Sequence, residues 1–84
     1  MASGDRSEPI LIAEWRKNAR ESVRVTLDQF NGMDLIAQRV FYEHAPGETR
    51  PSRKGLSISV KHLPQLLESL RLAEAKAREL GLIE

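Results

Sequence analysis

Two hydrophobic periods divide the chain. From residue 22 to about residue 60, apolar and polar positions alternate with the period of half-buried strands; beyond that the spacing lengthens to near 3.6. In SVRVTLDQF (22–30), Val23, Val25 and Leu27 point one way and Arg24, Thr26 and Asp28 the other. Asn31-Gly32 follows at once, a dipeptide that tolerates positive φ at both positions and favours a two-residue hairpin turn. MDLIAQRVFY (33–42) reads as the return strand. There Leu35, Ala37 and Phe41 share a face with Arg39, as in a strand apolar on both faces or interrupted by a bulge. EHAPGETRPSRKG (43–55) reads as a loop by its Pro and Gly content, and LSISV (56–60) as a fourth strand. Upstream, PILIAEW (9–15) fits an edge strand, its Pro at the start, and RKNARE (16–21) a turn.

From about Lys61 a helix is predicted. Leu63, Leu66, Leu70, Ala73, Ala77 and Leu80 recur at steps of three and four, and Leu67 broadens the stripe. Ser59 is a candidate N-cap, Pro64 fits the first turn, and Gly81 suits the left-handed position that ends a helix. Twenty such residues make a rod of about 30 Å. The expected fold class is therefore α+β, a four-stranded antiparallel sheet followed by one long C-terminal helix. A single helix covers at most one sheet face, which leaves the other for water, a partner or a ligand. The helical stripe is expected to pack on the chain's own sheet. The same spacing is also the seam of two packed helices, so pairing with a second copy is a compatible addition.

Composition narrows the picture. At 84 residues the chain is one domain with a thin core. Residues 1–8 are small and polar and are expected to be disordered, leaving 9–84 as the folded unit. Net charge is only +1, so any attraction for a polyanion depends on where the charges sit. Cysteine is absent, which removes disulfides, thiolate metal sites and Cys nucleophiles together. No secretory signal and no bilayer-length apolar run is present, and a cytoplasmic, nucleoid-associated location is expected. His44 and His62 have no partner in a recognisable triad or metal spacing. No catalytic residue, metal site or cofactor is assigned, and enzyme activity is not expected.

The candidate chemistry is cationic and aromatic. Arg50, Arg53 and Lys54 cluster in 47–55, and Arg39 lies inside the preceding strand, where an unpaired charge is unusual on a buried face. Phe30 and Tyr42 fall at the edges of the hairpin. Cations that follow phosphates, with rings that stack on unpaired bases, suit single-stranded nucleic acid. The same residues also read as loop solubilisers and as core or rim packing.

FNGMDLIAQRVFYEHAPGETRPSRKGLSIS (30–59) resembles the transcriptional positive-cofactor-four family, small coactivator-type proteins that bind single-stranded DNA. The shared frame is an aromatic-x-Gly turn, a strand with an Arg ending in aromatics, Gly-Glu, a basic residue with Pro, and Arg-Lys-Gly before the last strand. The resemblance covers about residues 22–80. It implies a curved sheet, and a homodimer formed through the helix at Leu63, Leu66, Leu70, Ala73 and Ala77. It implies base stacking by Phe30 and Tyr42 and phosphate contacts by Arg39, Arg50, Arg53 and Lys54, with Gly32 and Gly55 allowing the turns. Asn31 and Met33 stand where the family often has Lys, and Tyr42 where a Trp can stand. Arg16 and Lys17 lie outside the shared core and extend the basic surface. The implied partner is single-stranded DNA. RNA, or a protein of the transcription machinery docked on the open face, is the alternative. No membrane partner is expected.

Overall fold

The computed structural model describes residues 8–84. Four strands, β1 (Ile10–Arg16), β2 (Glu21–Phe30), β3 (Met33–Ala45) and β4 (Glu48–Ser59), form one antiparallel sheet in chain order. A 3-10 turn (Val60–His62) leads into α1 (Leu63–Glu79). Except for Glu8, the disorder expected over residues 1–8 lies outside the described residues.

The central hairpin follows from its turn. Asn31 and Gly32 take φ of 51° and 76°, and Phe30 pairs with Met33 across them. This is the primed turn whose twist matches its strands. From there β2 and β3 pair without a shift in register as far as Glu21 opposite Tyr42. Directly opposed residues share a face, so the register sorts the side chains. An apolar face carries Val23, Ile36 and Val40, which at 2%, 7% and 6% exposure are the buried hydrophobic residues among those described. The other face carries Ser22, Arg24, Thr26, Arg39 and Phe41. The mixed pattern of β3 is thus a strand with apolar side chains on both faces. At the β1–β2 turn, Asn18 Oδ1 accepts from the backbone N–H groups of Arg20 (3.0 Å) and Glu21 (2.9 Å), an Asx turn that sets the corner.

Three expectations are corrected. Residues 43–55 are not a loop: β3 runs on to Ala45, β4 begins at Glu48, and only Pro46 and Gly47 (φ 78°) lie between. Pro51 is tolerated because β4 is an outer strand, where a missing N–H need not break a ladder on both sides. Gly55 is not in a turn. It sits within β4 opposite Arg39 with φ of 146°, where the two backbones approach too closely for a side chain. The helical stripe does not pack on its own sheet. α1 makes its principal contacts with the 3-10 turn, and none of its residues is buried. Leu63, Leu66 and Ala77 are half-buried, and Leu67 and Leu70 are more than half exposed at 57% and 58%. The turn inserted after β4 directs the helix away from the strands. Ser59 accepts from the Lys61 N–H and so caps this turn; the α-helix itself is entered at His62 with no side-chain cap. Its far end closes as read. Gly81 has φ of 76°, with its N–H bonded to Arg78 O (3.1 Å) and the Leu82 N–H to Ala77 O (2.8 Å).

Candidate nucleic-acid interface

The basic segment forms a bulge on an open sheet edge. β3 and β4 pair at Arg39–Gly55 and again at Phe41–Pro51, so Ser52, Arg53 and Lys54 together oppose Val40. Such an insertion bends the strand and re-aims its side chains. Ser52 Oγ accepts from the Lys54 N–H at 3.0 Å, and Ser52 O accepts from Arg39 Nη1 at 3.2 Å, which pins the bulge from both sides. Arg53 and Lys54 are exposed. Among the described residues, neither side chain has a hydrogen-bond or ion-pair partner.

Tyr42 lies beside this bulge on the apolar face, two positions beyond Val40 and directly opposite both Glu21 and Arg50. It is 36% exposed and meets the His44 ring edge-on, centroids 6.5 Å apart. Arg50 is exposed and pairs with Glu48 at 3.3 Å, a contact of little energetic weight at that exposure. Glu21, like Glu48, is an anion within the group. Asn18 Nδ2 donates to its Oε1 at 2.7 Å and Lys17 Nζ at 3.1 Å. These hydrogen bonds hold its carboxyl below the usual carboxylate range, and the nearby charges of Lys17 and Lys54 add to the effect.

Phe30 is elsewhere. It is 67% exposed beside the Asn-Gly turn, opposite the exposed Met33, on the other face. From Met33 to Tyr42 is nine residues, roughly 30 Å of extended strand. Arg39 shares the Phe30 face and spends a donor on the bulge carbonyl. Of the six residues singled out from sequence, Tyr42, Arg50, Arg53 and Lys54 therefore gather around the β4 edge. Arg39 braces that edge from behind, and Phe30 stands apart.

Sequence reasoning passed over two residues. Arg24 lies 4.1 Å above the Phe41 ring, pairs with Glu14 at 2.9 Å and donates to Thr49 Oγ1 at 3.2 Å. The Arg24 hydrogen bond holds the Glu14 carboxyl below its ordinary range. This guanidinium is engaged within the sheet rather than free for a ligand. Alternation had set Arg24 on the polar face, but its partners come from other strands. Trp15 is 55% exposed on β1, opposite Val23, and its only sequence signal was the indole itself. Among the described residues no cluster of His, Asp or Glu could hold a metal ion, and no helix is long and apolar enough to cross a membrane.

Residues 17–69 match the family model of Transcriptional Coactivator p15 (PC4). Solved structures similar to this chain include BPSL1147, a PC4 homolog from Burkholderia pseudomallei K96243. It is 27% identical over 80% of this chain and 98% of that one, with a TM-score of 0.74. MoSub1 in complex with DNA is 28% identical over 95% of each chain, with a TM-score of 0.62. MoSub1 in complex with single-stranded DNA is 32% identical over 81% of this chain and 78% of that one, with a TM-score of 0.60. No curated protein matches the chain by sequence.

Proposed function

The chain belongs to the PC4 (transcriptional coactivator p15) family, and from that premise we propose that it binds single-stranded DNA with little sequence preference. The observation that carries the reading is the basic bulge of β4. Two cations with no hydrogen-bond or ion-pair partner among the described residues stand on a sheet edge beside an exposed phenol ring. Arg53, Lys54 and Arg50 attract the phosphates and Tyr42 stacks on a base, an arrangement indifferent to base identity. A strand that also reaches Arg39 and Phe30 crosses the β4 edge, because those residues lie on the other face. The DNA complexes of MoSub1 support this reading.

The finer role in this proposal is transcription regulation or DNA maintenance, in the nucleoid of the cytoplasm, by binding and without catalysis. The proposed active form is a homodimer joined through the exposed stripe of α1. Fluorescence anisotropy of labelled oligo-dT, against the same length of duplex and at two salt concentrations, tests the function. Tighter binding of the single strand, weakening steeply with salt, is expected. Equal affinity for duplex, or affinity indifferent to salt, would count against it. Tighter binding of oligo-U than of oligo-dT would move the assignment to RNA.

A further inference from the structure

The apolar face carries a second exposed ring at the end of the sheet where Tyr42 lies. Trp15 pairs with Val23, Val23 with Val40, and Tyr42 follows two positions after Val40 on the same side. Strand spacing and rise set the two α-carbons roughly 12 Å apart across the sheet. Trp15 is 55% exposed, and on a strand whose residues are all exposed it has no covering layer among the described residues. Beyond it the β1–β2 turn brings Lys17 and Arg20 to the same corner, and an open groove lined by Asn18, Ala19, Arg20, Glu21, Tyr42 and Glu43 joins that turn to the tyrosine. Arg20 is exposed, and its guanidinium has no hydrogen-bond or ion-pair partner among the described residues.

We propose that Trp15 is a second base-stacking residue, so that the single strand runs across the sheet from the basic bulge of β4, over Tyr42, to Trp15 and the cations of the β1–β2 turn. This rests on the single-stranded DNA reading and deepens it. Two rings at this separation engage two different bases of one strand, with cations at both sheet edges to follow the backbone between them. The largest apolar ring has the greatest stacking surface, and its place on an outer strand leaves one side open to a long polymer. Glu21, lying between, is paired with the Lys17 cation and accepts a hydrogen bond from the Asn18 amide.

The chain has one tryptophan, so its fluorescence reports on this position alone. Oligo-dT is titrated into the protein while indole emission and the anisotropy of a labelled oligo are followed together. The expected result is quenching of the indole that saturates with the anisotropy. Trp15→Leu should weaken binding roughly tenfold, and Trp15→Phe should restore most of the loss. Binding by anisotropy with unchanged indole emission, and a Trp15→Leu affinity equal to that of the parent, overturns the role of Trp15 and leaves the DNA-binding reading intact. No binding by anisotropy overturns both.

Discussion

Glu21 is the residue whose charge the proposed interface least needs. Its carboxylate sits opposite Tyr42 and within the field of Lys54, where it repels the phosphates those groups are proposed to hold. Because its hydrogen bonds lower its pKa, it stays ionised throughout about pH 5–8, and binding should not change over that window on its account. Glu21→Gln removes the charge, frees Lys17, and should tighten binding of oligo-dT roughly two- to fivefold at moderate salt. The sign for folding is opposite. A carboxylate with a depressed pKa contributes stability above its ordinary pKa, and that contribution is lost as pH falls through the lowered value. Acid should therefore loosen the corner held by Glu21 and the pair held by Glu14, read as a falling melting temperature below the ordinary carboxylate range. The cations of the bulge make the complementary prediction. Replacing Arg53 and Lys54 together with Ala should weaken oligo-dT and oligo-dC about equally. It should also reduce the slope of log K against log salt by about 1.4, two phosphate contacts at roughly 0.7 each. A loss confined to one sequence would show that these side chains read bases.

At the scale of elements, the β3–β4 hairpin depends on one residue without a side chain. A Cβ on Gly55 would lie 2.2 Å from Gln38 O and 2.8 Å from Arg39 Cα, contacts with backbone that no rotamer relieves. Gly55→Ala should destabilise the fold by about 2 kcal/mol or more, since it adds overpacking to a φ that L-residues avoid. Urea unfolding gives the value, and a loss under about 0.5 kcal/mol would mean that the ladder parts there at little cost. The two hairpins on either side of β3 show what the sequence made legible. β2 and its Asn-Gly turn could be read because alternation and turn chemistry are local. Residues 43–55 could not, because their Pro and Gly signal a loop unless the segment is known to be an outer strand, and sheet order is a long-range property. The candidate site divides in the same way. Clustering of Arg50, Arg53 and Lys54 is visible in the sequence, but the faces on which Phe30 and Tyr42 fall depend on strand register. Trp15 and Tyr42 come onto one face only through two successive strand pairings.

The whole molecule leaves more apolar surface open than its small core can balance. Three hydrophobic side chains are buried among the described residues, while Leu67, Leu70 and Leu72 of α1 are each more than half exposed. A chain of 84 residues has little stability to spare, and burying such a stripe against a second copy is the economical remedy. Paired copies of one chain most often meet across a twofold axis, where each residue is used twice. A single Leu70→Glu change then removes two leucines and buries two carboxylates. At about 2 kcal/mol for each large apolar side chain lost from an interface, the dimer dissociation constant should rise on the order of a thousandfold. Leu70 is suited to the test because it is 58% exposed in the single chain, so the variant should keep its sheet. Sedimentation equilibrium should give about twice the 9.5 kDa chain mass for the parent and the single-chain mass for the variant. Thermal stability should depend on protein concentration in the parent and not in the variant. Tyr42, Arg50, Arg53 and Lys54 all come from one chain and lie on strands that the helix does not cover. The monomeric variant should therefore still bind a short oligo-dT with nearly the parent's affinity, and lose only the added strength that a long strand gains by engaging two copies at once. Loss of short-strand binding together with the dimer would mean that the groove is completed by the partner rather than contained in a single sheet.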